Sequence, residues 1–186
     1  MDLGFRMHAE RTPNPNSIKW VLGRDVVEGG ASAHFTAAPP EDVSPLAARL
    51  FDVSGVVGAF FASNFVTVTK REEVEWTDIA PSIIDAIKAV LGEGGSALGT
   101  AYVAPEPSAA AGAVVERIQR ILNDEVRPAV AMDGGEIVFA GFRDGIVELY
   151  MQGSCSGCPS STATLKHGIE ARLRDEIPEV QGVVAL

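Results

Sequence analysis

Apolar residues recur at intervals of three and four in some stretches of the chain and alternate with polar ones in others; the change of period marks out helices and strands. Ile79, Ile83, Ile84, Ile87 and Leu91 share one helical face, which predicts a helix over residues 77–91 stopped by Gly92. Val114, Ile118, Ile121 and Leu122 make a second such face, with Pro128 expected to end that helix. Leu165, Ile169, Leu173 and Ile177 follow at intervals of four, in a helix that opens at Pro159 and stops before Pro178. A shorter helix opens at Ser44 and Pro45, a capping residue followed by a residue whose φ is already helical.

Between these lie β-type runs. Residues 18–21 read as a short strand after the turn-rich Thr12-Pro13-Asn14-Pro15-Asn16-Ser17, and residues 32–36 as a weaker one. Residues 56–61 and 65–69 form a hairpin around Ala62-Ser63-Asn64. Residues 136–142 and 146–151 form another, joined through Asp144-Gly145, a strong two-residue turn signal. Residues 180–186 read as an edge strand. The expected fold class is α+β. Two small mixed domains, residues 1–91 and 113–186, are joined by a linker over residues 92–112. The second domain reads as an α-β-β-α unit. The linker is rich in Gly, Ala, Ser and Pro and has no periodicity, so as a flexible coil of about 20 residues its ends would average roughly 25 Å apart.

Charge narrows the function. The net charge is -10, and neither half carries a basic excess. Residues 1–91 hold eight Lys or Arg against twelve Asp or Glu, and residues 113–186 hold seven against eleven. A nucleic-acid backbone is therefore not an expected partner. No apolar run is long enough to span a membrane, and the first six residues resemble neither a secretory signal nor a transit peptide, so a cytoplasmic protein is expected.

The chemistry concentrates in Gly153-Ser154-Cys155-Ser156-Gly157-Cys158-Pro159, which holds both cysteines of the chain. Two thiols two residues apart can face one ion across a tight turn, and Ser156 and Gly157 suit that turn. Pro159 is a favoured first helical residue, which puts Cys158 at a helix N-terminus where unpaired N–H groups favour thiolate. Zinc and the common iron-sulfur clusters take about four protein donors, and the chain supplies two cysteines. His167 lies nine residues beyond Cys158, about 13 Å along the helix axis, too far to share an ion. His8 and His34 lie in the other half and read as ordinary surface or core histidines. The missing donors then come from a second copy of the chain or from an exogenous thiol. Two other readings use the same pair: a thiol-disulfide oxidoreductase, and a structural zinc site that staples a dimer. Against the oxidoreductase, only about a dozen residues follow the last helix, too few for the rest of a thioredoxin-like fold.

Taken together, these segments resemble the NifU-like (Nfu) iron-sulfur scaffold and carrier proteins. Thr12-Pro13-Asn14-Pro15-Asn16-Ser17-Ile18-Lys19 and Phe65-Val66-Thr67-Val68-Thr69-Lys70 are similar to that family's N-terminal domain. Asp133-Gly134-Gly135, the run from Gly153 to Ser161, Thr164-Leu165-Lys166-His167-Gly168-Ile169-Glu170 and Pro178-Glu179-Val180 are similar to its C-terminal domain. The resemblance implies that Cys155 and Cys158 are cluster ligands and that two protomers share one [4Fe-4S] cluster as a homodimer. It further implies that the cluster passes to apo target proteins, that upstream assembly factors are partners, and that no residue is catalytic. Ligand count alone leaves [2Fe-2S] and zinc open as occupants.

Overall fold

The computed structural model describes residues 5–29, 31–92, 94–104, 112–157 and 159–186, the side chains of residues 159–161 excepted. Cys158, the first four residues and residues 105–111 of the expected linker lie outside the described residues. The chain falls into two compact units, Met1–Ala104 and Pro105–Leu186.

In the first unit, strands β1 (Met7–Arg11), β2 (Ser17–Leu22), β3 (Ser32–Phe35), β4 (Val56–Ala62) and β5 (Phe65–Lys70) form one antiparallel sheet in the order β1-β2-β5-β4-β3. Register places Ala33, Phe61, Val66 and Trp20 in one row across four strands. That row belongs to a core shared with helices α1 (Pro45–Phe51) and α2 (Trp76–Leu91). Leu46, Ala47 and Leu50 of α1 are buried, as are Ile79, Ile83, Ile87 and Leu91 of α2. These are the periodic positions of the sequence, so burial of one apolar stripe fixes each helix against the sheet. β1 carries no such signal. Its residues from His8 to Arg11 are exposed, and it is an edge strand recruited through the ladder that pairs His8 with Val21 and Glu10 with Lys19.

The Thr12-to-Ser17 segment is folded by its own side chains. The Asn14 N–H donates to Thr12 Oγ1 at 3.2 Å and the Asn16 N–H to Asn14 Oδ1 at 2.9 Å. Lys70, almost fully buried, donates its Nζ to Asn16 Oδ1 at 3.1 Å and lies over the Trp76 ring, whose Nε1 donates to the Pro15 carbonyl at 3.0 Å. The N-terminal signature thus closes a loop onto the ends of β5 and α2.

Residues expected to begin a flexible linker instead extend the first unit. Ala97 is fully buried, and its carbonyl accepts from Ser44 Oγ at 2.7 Å. The Gly99 N–H donates to the Val43 carbonyl and the Ala101 N–H to the Asp42 carbonyl, each at 2.9 Å. Tyr102 donates its hydroxyl to the Ser32 carbonyl and packs its ring beside Phe35. A low-periodicity segment can be held by backbone carbonyls that no hydropathy pattern reports.

In the second unit, α3 (Ala113–Ile121) does not end at Pro128. It passes through a π-type turn over Leu122–Val126 into α4 (Arg127–Met132), where Pro128 occupies the first turn. A proline there has no N–H to lose, and the wider turn before it absorbs the register change, so one helical path continues where the sequence predicted a stop. Strands β6 (Gly135–Arg143) and β7 (Ile146–Gly153) form the expected hairpin, with positive φ at Asp144 and Gly145 in its turn. Helix α5 (Pro159–Glu176) leads to β8 (Gly182–Ala185), which pairs parallel to β7 and completes a three-stranded sheet in the order β6-β7-β8. Ile118, Ile121, Ile137, Val147, Leu149, Ile169, Leu173 and Ile177 fill the core of this unit.

Candidate metal centre at the strand-to-helix turn

Val147, Leu149 and Met151 point into the core from alternate positions of β7, and this anchors the strand so that its end delivers Gly153 and Ser154 to the mouth of α5. Gly153 turns the chain with a φ of 66°, and Gly157 turns it again with a φ of 80°. Both values favour glycine, since a side chain there strains the backbone. Cys155 sits between them.

A second turn grips this one from the side. Asp133 and Gly134 close α4 through hydrogen bonds from their N–H groups to the Val130 and Ala131 carbonyls. The Ser154 N–H donates to the Gly134 carbonyl at 3.2 Å, and Ser154 Oγ donates to the Asp133 carbonyl at 2.5 Å. From the other direction Thr162 Oγ1 donates to the Cys155 carbonyl at 2.9 Å, tying the turn to the first coil of α5. Ser156 holds its own loop, with both its N–H and its hydroxyl directed at the Gly153 carbonyl. The sequence marked Asp133-Gly134-Gly135 as a turn and as part of a resemblance. Its contact with the cysteine loop is long-range and leaves no local pattern to read.

Cys155 is a free thiol and only 7% exposed. Burial pushes its pKa up to about 11; contact with the Ser154 side chain opposes the rise, and the Asp133 charge adds to it. The helix-terminus argument for a thiolate applies to Cys158, which is outside the described residues. At Cys155 the balance runs the other way, toward the protonated thiol.

The histidines lie elsewhere. His8 is exposed and 3.0 Å from Glu10, His34 packs edge-on against Phe60, and His167 is exposed on α5. Burial lowers the pKa of His34. Among the described residues no group of three or more His, Cys, Asp or Glu could hold a metal ion. Cys155 therefore has at most a partial donor set within the described part of its own chain.

Comparison with known proteins adds a family. Residues 118–184 match the family described as NifU-like domain, and residues 7–94 match the one described as scaffold protein Nfu/NifU N terminal. A human protein named NFU1 iron-sulfur cluster scaffold homolog, mitochondrial, is 42% identical over 184 residues, covering 95% of this chain and 70% of the human one. Its Drosophila erecta namesake is 40% identical over 183 residues, covering 95% of this chain and 63% of that protein. The solution structure of a NifU-like protein from Saccharomyces cerevisiae aligns with a TM-score of 0.47 at 25% identity, over 54% of this chain and 91% of that one. The cytoplasmic expectation is overturned here, because the human and Drosophila relatives are both named as mitochondrial.

Proposed function

The chain belongs to the NifU-like (Nfu) iron-sulfur cluster scaffold family, and from that premise we propose that it is a carrier: Cys155 and Cys158 of two copies hold one [4Fe-4S] cluster between them and release it to apo target proteins. The cluster is cargo, and no residue of this chain is assigned a catalytic role. The observation that carries the reading is the incomplete donor set at a formed turn: a buried thiol fixed at a strand-to-helix junction, with no group of three or more potential ligands among the described residues. Iron-sulfur clusters are held by thiolates, commonly four, so a two-cysteine chain is completed most simply by its own copy.

Each part of the turn has a task in this scheme. β7 and α5 fix where the loop leaves the core, while Ser154 and Thr162 pin the backbone on either side of Cys155. The thiol must give up its proton on ligation, so loading releases protons. A site with half its donors on each protomer comes apart when the two separate, which suits hand-over better than permanent retention. Targets and upstream assembly factors are the partners this role requires.

Two experiments test the carrier reading. Purified protein given iron and sulfide without oxygen develops a broad visible absorption that Cys155→Ala and Cys158→Ala each abolish. The loaded protein then passes its cluster to an apo acceptor, whose activity appears as the donor's absorption falls. Catalytic disulfide reduction without iron uptake would replace this reading with the redox one, and a loaded dimer that never surrenders its metal would replace it with a structural site.

A further inference from the structure

The turn from Asp133 to Gly135 does more than hold the loop, because Gly135 stands directly beside the thiol. A Cβ built on Gly135 falls 2.4 Å from Cys155 Sγ, 3.0 Å from the Gln152 carbonyl oxygen and 3.2 Å from Ser154 Oγ. The first separation is far inside van der Waals contact, so the sulfur occupies the space a side chain at residue 135 would take. The backbone does not demand glycine there: Gly135 pairs with Gly153 at the start of β6 and, unlike Gly134, is not among the positive-φ glycines. The sulfur is the closest group excluding a side chain, and the Gln152 carbonyl and Ser154 hydroxyl also crowd it.

We propose that Gly135 is a positioning residue whose bare Cα forms a socket for the Cys155 thiol and keeps it turned inward while no cluster is bound. Resting on the carrier reading, this adds a second state of the same site. A sulfur that bonds iron shared with another protomer has to reach the surface, whereas Cys155 is buried as part of the hydrophobic core of its own unit. The socketed thiol is thus the unloaded position. Loading swings the sulfur outward by rotation about its Cα–Cβ bond, which leaves Ser154 and Thr162 in place as the fixed frame. A thiol stored this way is also shielded from oxidants between deliveries.

The test needs no iron. In the Cys158→Ser background the chain has one thiol, and its alkylation by iodoacetamide, measured across pH and expressed per thiolate, reads the accessibility of Cys155. The folded protein is expected to react at least tenfold more slowly than the same chain in urea. Adding Gly135→Ala, which fills the socket, is expected to raise the folded-state rate at least tenfold while circular dichroism stays unchanged. A folded Gly135→Ala variant that alkylates as slowly as its parent overturns the proposal. Should that variant fail to fold, the comparison between native and urea-unfolded parent decides, and equal rates overturn it. Because alkylation does not involve the cluster, the socket can fail while iron uptake by the unmodified chain remains intact, and the reverse outcome is equally visible.

Discussion

Cys155 is the residue at which burial and chemistry conflict. A free thiol ionises near 9, and burial moves this one to about 11. The folded chain therefore holds its proton more tightly than the unfolded chain does, and the stability tied to that proton is fully present below about pH 9 and lost as pH rises toward 11. Between the two values the slope approaches about 1.4 kcal/mol per pH unit, but half the unfolded-state thiol still holds its proton at pH 9, so the stability of the wild-type apoprotein falls by about 1 kcal/mol from pH 9 to 10 in excess of any change in Cys155→Ala. Urea titrations of both proteins across that range check it, and parallel pH dependences would show that the thiol ionises normally. Nothing at this scale was legible from composition. The C-x-x-C spacing identified the residue, but its place in the core and the approach of its sulfur to Gly135, twenty positions away in sequence, left no local signal.

At the scale of elements, the sequence announced those whose apolar stripes face a core and was silent on those held by hydrogen bonds. α2 and α5 follow their periodic residues closely, and the Asp144-Gly145 turn sits where the pattern required. β1 and the 97–102 segment went unread because their partners are backbone groups of distant residues. Ser44 shows how one side chain serves both kinds of structure: its Oγ accepts from the Ala47 N–H to cap α1 and donates to the Ala97 carbonyl. Ser44→Ala removes the cap and orphans a buried carbonyl, for an expected loss of about 2–4 kcal/mol. Both tryptophans, Trp20 and Trp76, belong to the first unit, so unfolding followed by tryptophan fluorescence isolates this effect. A loss below about 0.5 kcal/mol would mean that the segment contributes nothing to α1.

Gly168 is the opposite case. It lies inside α5 with open space where a Cβ would stand, and glycine there costs the helix roughly 1 kcal/mol relative to alanine. Gly168→Ala is expected to stabilise the second unit by about that much, read from helical circular dichroism during guanidinium unfolding. Destabilisation would instead reveal a close neighbour for this face of α5 in solution.

Counted over the whole molecule, a 186-residue chain with two cysteines cannot by itself supply the four thiolates that a cluster commonly takes. If a second copy supplies the rest, the metal makes the bridging bonds and assembly is linked to loading. The apoprotein should then elute near its 19.5 kDa chain mass and the loaded form at about twice that. Iron analysis of the larger species should give about two irons per chain, the value for one [4Fe-4S] cluster shared by a pair. Stripping the metal with a chelator should return the smaller species, because nothing else is asked to hold the pair together. Anaerobic size exclusion with metal analysis on the same fractions decides the matter. A loaded species of single-chain mass would mean that an exogenous thiol completes the site. An apoprotein already dimeric would mean that a protein interface, rather than the metal, joins the copies, and release of cargo would then have to occur without separating them.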